Sequence, residues 1–130
     1  MAEAIARQDA WDVIAPLSAG VAALGFVAET TTETLAANGY TTDELRSKPL
    51  TEKLWDAAHV VVNMTGRPAE TLFRGFVNPK RVEDWLVLDP YGEEPPRFQK
   101  VCEELQQRVE DLAERLRTHG ENNKNPFARR

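Results

Sequence analysis

A chain of 130 residues that is 42% hydrophobic and 28% charged has room for one buried core and none for a second domain. No apolar run reaches the roughly 20 residues a bilayer span requires, the start Met1-Ala2-Glu3-Ala4 lacks the basic and apolar stretches of an export signal, and the single cysteine, Cys102, excludes an intrachain disulfide. These features predict a cytoplasmic protein with no membrane partner, and the net charge of -5 argues against a nucleic-acid partner, because phosphate backbones are held by clustered Lys and Arg.

In chain order, Met1 to about Asp9 reads as a short helix with alanines and Ile5 on one face and no residue suited to cap it. Val13 to Leu17, closed by Ser18-Ala19-Gly20, predicts a strand running into a turn. Thr30 to Asn38 predicts a helix stopped by Asn38-Gly39. After a connector over Tyr40 to Leu50, Thr51 is an N-cap for a helical turn through Trp55. His59 to Met64 is the most strand-like segment, and its continuous apolar character predicts cover on both faces, as in a parallel sheet. Thr65-Gly66-Arg67-Pro68 opens a further helix with Pro68 in its first turn, and Arg81 to Leu86 fits a last short strand.

The longest helix carries Phe98, Val101, Leu105, Val109, Leu112 and Leu116 at three- and four-residue steps, one apolar stripe ended by Gly120. The domain is thus expected over residues 1–120, with a flexible polar tail over 121–130 whose basic end is solvated. Strands alternating with helices predict an α/β fold, a small open parallel sheet with helices on both faces. In such sheets the crevice lies at the carboxyl ends of the strands.

Asp89-Pro90-Tyr91 falls in a loop after the last expected strand, where a carboxylate can face that crevice as a general acid. Read alone, the tripeptide is more simply a turn start. Cys102 and Arg108 satisfy the Cys-x5-Arg spacing of cysteine-dependent phosphatases, yet both fall inside the long helix. That chemistry needs free backbone N–H groups around a phosphate, and helical residues have already given theirs to carbonyls. Six residues of helix is also about 9 Å of rise and roughly 240° of turn, so thiol and guanidinium diverge. Cys102 is therefore expected to be a core residue, with Glu103 and Glu104 raising its pKa. His59 and His119 have no cluster of Cys, His or Asp at ligand spacing near them, so no metal is expected, and no glycine-rich nucleotide loop is present, so no cofactor is expected either.

Taken in order, Met1-Ala2-Glu3-Ala4-Ile5-Ala6-Arg7, Ser18-Ala19-Gly20-Val21, Arg46-Ser47-Lys48-Pro49-Leu50-Thr51, Val61-Val62-Asn63-Met64-Thr65 and Val82-Glu83-Asp84-Trp85 leading to Asp89-Pro90-Tyr91-Gly92 resemble the low-molecular-weight phosphotyrosine phosphatase and arsenate reductase family, over about residues 1–117. The resemblance implies a four-stranded parallel sheet and a Cys-x5-Arg-Ser phosphate loop between the first strand and first helix. That strand and loop are absent from this sequence, which starts where the family's loop ends. It further implies that Asp89 is the general acid, protonating the leaving oxygen and then activating water against a phosphocysteine, and that Tyr91 is an aromatic substrate-binding residue at the mouth of the site. Gly92 stands where the family often has a second aromatic, which weakens selectivity for phosphotyrosine. Thioredoxin-coupled arsenate reductases carry further cysteines after the third strand, and Met64 to Asn78 has none.

Two readings follow. In one, the protein extends upstream of Met1 and hydrolyses phosphate esters, phosphotyrosine proteins among them, through a phosphocysteine. In the other, the chain begins at Met1 and is a catalytically dead binding or regulatory module whose exposed strand edges favour self-association; an arsenate reductase-like protein is a further alternative. Either way, the 130 residues alone are expected to be inactive.

Overall fold

The computed structural model describes residues 1–20, 25, 27–43 and 45–124. The organising element is its longest helix, α5 (Pro95–Lys124). Phe98, Val101, Leu105, Val109 and Leu112 are all buried along its expected stripe, and Leu116 packs at the core's margin. Against this stripe lie α1 (Ala2–Asp9) and α2 (Glu29–Ala37). Ile5 of α1, Leu35 of α2 and Cys102 of α5 are completely buried in one core cluster.

The helix α2 stops as its sequence predicts, and its end ties the helices together. Asn38 is the C-cap and Gly39 takes φ +86°, the left-handed turn glycine makes without steric cost. Gly39 N–H then donates to the Ala36 carbonyl at 3.0 Å and Tyr40 N–H to the Leu35 carbonyl at 2.9 Å, the paired bonds of a Schellman motif. Asn38 and Gln99 of α5 exchange amide hydrogen bonds at 2.7 and 3.1 Å. Buried Tyr40 donates its hydroxyl to Asp9 at 2.5 Å and accepts from Gln106 at 2.9 Å.

The helix α3 (Glu52–Ala57) is capped by Thr51, whose hydroxyl accepts from Leu54 N–H at 3.2 Å. It delivers Trp55 to a separate aromatic group, stacked on Phe76 and tilted against Phe73 with centroids 4.9 Å away in each case. Its indole N–H donates to the Asn78 carbonyl at 2.7 Å, the partner a buried tryptophan needs. The strands β1 (Val60–Asn63) and β2 (Arg81–Asp84) pair in parallel, Val60 opposite Arg81 through Asn63 opposite Asp84. The short helix α4 (Ala69–Leu72) lies in the crossover a parallel pair requires. Pro68 sits one position earlier than expected, at the N-cap.

Three expectations are corrected. Val13 to Leu17 is not a strand. Val13 and Ile14 both donate to the Ala10 carbonyl, at 3.1 and 2.8 Å, in the turn that closes α1, and the run ends at Gly20, which makes one isolated parallel bridge with Pro49. A strand exists only as a ladder, and among the described residues none pairs with residues 14–19. Second, β1 is not covered on both faces: Val60, Val61 and Val62 are half-buried and only Asn63 is buried, and the main helix packing is of α1 and α2 on α5 rather than on this strand. Third, α5 runs through Gly120 to Lys124. Four-residue hydrogen bonding carries a helix past a single glycine at a cost of about 1 kcal/mol. The rest of the polar tail, residues 125–130, lies outside the described residues, as does Val21. No helix among the described residues is long and apolar enough to cross a membrane.

One buried charge fixes α1 to the chain that follows it. The Glu3 carboxylate accepts from the Ser18 hydroxyl and from the Arg7 guanidinium, and Lys48 Nζ lies 3.8 Å away. Burial alone would push this carboxyl upward, but the Ser18 and Arg7 hydrogen bonds and the Lys48 and Arg7 charges hold it below the ordinary glutamate value. Because the folded value is the lower one, the resulting stability is complete above the unfolded value of 4.5 and is lost as pH falls through the folded one. Replacing Glu3 by Ala is expected to cost about 2 kcal/mol at pH 7, measured by urea denaturation. The Glu3→Ala stability curve should also fall less steeply than that of the unsubstituted chain between pH 5 and lower values, about the range in which carboxylate-linked stability is lost.

Candidate active site at the carboxyl end of the parallel strands

Asn63, the last residue of β1, is only 4% exposed and organises the loop beyond it. Its Nδ2 donates to the Arg67 carbonyl at 2.8 Å and to Asp84 Oδ1, at the end of β2, at 3.0 Å. Its Oδ1 accepts from the backbone N–H of Thr65 at 3.1 Å and from the Thr65 hydroxyl at 2.8 Å. The Thr65 hydroxyl in turn accepts from Arg67 N–H at 3.1 Å. Every polar atom of a buried amide must find a partner, and here those partners shape the turn through Thr65-Gly66-Arg67. The sequence put Asn63 in an expected strand and in a segment that carries the resemblance, without giving its side chain a role; a polar residue ending an apolar run was the signal that could have singled it out.

Beyond β2 the last ladder bond runs from Trp85 N–H to the Asn63 carbonyl at 2.9 Å. Trp85 is buried in the core and Val87 is packed at its edge, whereas Leu86 and Leu88 point outward, 79% and 52% exposed. Asp89 follows, exposed, five residues past the end of β2. Its Oδ1 accepts from Tyr91 N–H at 3.0 Å, the Asx turn for which aspartate is suited. The Glu93 N–H then donates to the Pro90 carbonyl at 2.8 Å, with Gly92 at φ +84° in the third position of the turn, where a type II turn requires glycine. Tyr91 is 53% exposed. Asp89 and Tyr91 therefore share one turn in the loop that follows β2. One oxygen shapes the loop, and among the described residues the other takes no hydrogen bond.

Cys102 lies inside α5 and is completely buried. Burial is the main force pushing its thiol upward; the Met1 amino group opposes this and Glu103 and Asp9 add to it. Glu104 instead turns to Arg108. A thiol held protonated within a helix is neither a nucleophile nor a phosphate seat. Arg108 faces elsewhere, its guanidinium 6.0 Å from the Trp85 ring centroid and paired with Glu104 at 3.3 Å. The Cys-x5-Arg spacing thus brings nothing together.

The segments that carry the family resemblance do meet, through Glu3 with Ser18 and Lys48. A polar cleft of about 570 Å³ lined by residues such as Asp9, Gln106, Glu110 and Arg117 includes neither Asp89 nor Tyr91. Among the described residues no three potential metal ligands converge, and His59 is an exposed residue immediately before β1.

Solved structures resemble the whole arrangement. An arsenate reductase in the phosphate-binding state aligns with a TM-score of 0.72 at 23% identity, over 88% of this chain and 86% of its own. Two others, both in the reduced state, align over the same shares at 0.66 with 26% identity and at 0.69 with 23% identity. No curated protein sequence matches. The low-molecular-weight phosphotyrosine protein phosphatase family profile matches residues 1–122, nearly the full chain and every element described above but for the last two residues of α5, and the chain belongs to that family.

Proposed function

We propose that this chain supplies the acid half and the scaffold of a phosphate-ester hydrolase, with Asp89 as the proton donor, and that its 130 residues do not turn over substrate by themselves. What supports the reading is the setting of Asp89 in a family member: a solvent-facing carboxylate, fixed by its own turn, in the loop that leaves the carboxyl end of β2. In the intact reaction, a cysteine thiolate attacks phosphorus and the bond to the leaving oxygen breaks. Asp89 gives that oxygen its proton, then takes one from the water that releases phosphate from sulfur. The exposure of Tyr91 on the same turn supports its reading as the aromatic residue that meets the ester. The thiolate is what this chain lacks, since its one cysteine is sealed in α5.

The structural neighbours support a second reading, in which the oxyanion is arsenate. Arsenate has the shape and charge of phosphate, but reducing it consumes thiols, and residues 64–78 contain none. A third, a non-catalytic module that associates with itself, draws support from the open edges of β1 and β2 among the described residues.

An aryl-phosphate assay tests the first reading. The chain as given is expected to show no turnover above buffer, whereas a version preceded by a strand and a Cys-x5-Arg-Ser loop is expected to hydrolyse the ester. In that longer version Asp89→Asn should lower turnover of esters with poor leaving groups by about 100-fold; an effect under threefold would remove Asp89 from the mechanism. Cys102→Ser should leave turnover of the longer version within about twofold while costing stability in the ~1–3 kcal/mol range, because it buries a hydroxyl in the core. Hydrolysis by the 130-residue chain that disappears in Cys102→Ser would overturn the assignment of Cys102 to the core.

A further inference from the structure

The arginine of the false Cys-x5-Arg pair has a different task. Between Trp85 N–H, the last rung on β1, and the Pro90 carbonyl, no backbone–backbone hydrogen bond among the described residues holds the chain. Leu86 and Leu88 contribute no apolar anchor, and Val87 is the one aliphatic side chain there that packs inward. Into this weakly held stretch reaches Arg108 of α5. Its Nη2 donates to the Leu86 carbonyl at 3.4 Å, its guanidinium lies over the Trp85 ring at 6.0 Å, and Glu104, one turn back, braces it through Nε and Nη2 at 3.3 Å each. A planar cation can satisfy a carbonyl, a carboxylate and an aromatic face at once, which an ammonium on a flexible stem does less well. Two turns further along α5, Arg115 grips Glu83 of β2 at 2.9 and 3.1 Å, so the strand is anchored independently of the loop beyond it.

We infer that Arg108 is a positioning residue for the Asp89 loop, clamping its first peptide to α5 so that the Asp89–Gly92 turn projects from a fixed base. The inference rests on the reading of Asp89 as the acid only for its catalytic consequence; the clamp itself is a property of the 130-residue chain.

The test begins with that chain and measures backbone ¹⁵N relaxation over residues 86–91 and amide exchange at Trp85. Arg108→Leu keeps apolar cover over Trp85 and suits a helix, but removes the charge and the donors. It should lower the order parameters of Leu86, Val87, Leu88 and Asp89 from about 0.85 to below about 0.6 and speed Trp85 exchange by about tenfold, while amides of Val101 and Leu105 are unchanged. Arg108→Lys should give intermediate values, a ranking that a merely space-filling side chain would not produce. Should Arg108→Leu fail to fold, Glu104→Gln is expected to loosen the same residues to a smaller degree. Unchanged relaxation in Arg108→Leu, or Lys no better than Leu, overturns the clamp.

In the version carrying the added strand and phosphate loop, Arg108→Leu should depress turnover of alkyl phosphates about tenfold more than that of an aryl phosphate with a good leaving group, because only the former needs a well-placed acid. If the loop loosens while this ratio stays the same and Asp89→Asn also leaves it unmoved, the acid assignment fails and the clamp stands. If Asp89→Asn moves the ratio and Arg108→Leu does not, the positioning role is wrong.

Discussion

The seating of one amphipathic helix governs this structure. With only 130 residues, the chain cannot spread its apolar surface over several layers, and α5 concentrates it along a single line from Phe98 to Leu116. Ile5 and Leu35, each with no surface left to solvent, complete the hydrophobic contact from two directions. Removing side chains of this size from a close-packed core typically costs about 2–5 kcal/mol, against a total domain stability of about 5–15 kcal/mol. Everything polar is arranged around that line. Asn38, Tyr40 and Asp9 bind one end of the helix pair to α5, and Arg115 and Arg108, two turns apart on the same helix, bind β2 and the chain beyond it.

This arrangement explains why a residue pattern that spells phosphatase chemistry does not perform it. Cys102 belongs to the same buried line as Leu105 and Val109, and burial disfavours its thiolate. Arg108, on the flank of the helix, is drawn to the electron-rich face of Trp85 and to Glu104. Spacing along a chain acquires chemical meaning only through backbone conformation: five intervening residues form a cradle in a loop and a divergence in a helix.

Where local physics decides a feature, the sequence already showed it. Thr51 caps α3 and Asn38-Gly39 ends α2 because capping is settled within a few residues, and the α5 stripe is a periodicity one can count. Val13 to Leu17 looked like a strand by the same local criteria, but ladders are made by partners and no local signal supplies one. The Glu3 contacts reach 15 residues to Ser18 and 45 to Lys48, distances at which a residue type says nothing about its neighbour. Family resemblance bridged part of that gap, since it selected the segments holding Glu3, Ser18 and Lys48 together before their contact could be seen. The resemblance also took in the segment of Asn63, but neither kind of reading gave its side chain a role, because that role is to satisfy four groups around a bend that only the folded chain creates.

The turn that ends α2 has a chemical consequence as well. Asn38-Gly39 is the dipeptide that ages fastest by deamidation, since the unhindered glycine nitrogen can attack the asparagine carboxamide and close a succinimide ring. In the folded chain that nitrogen donates to the Ala36 carbonyl, and the carboxamide is held by Thr34 and Gln99. Ring closure works against four hydrogen bonds, one at the glycine nitrogen and three at the carboxamide, so the fold protects its own covalent structure at this position, and chemical wear there will track the time each molecule spends unfolded.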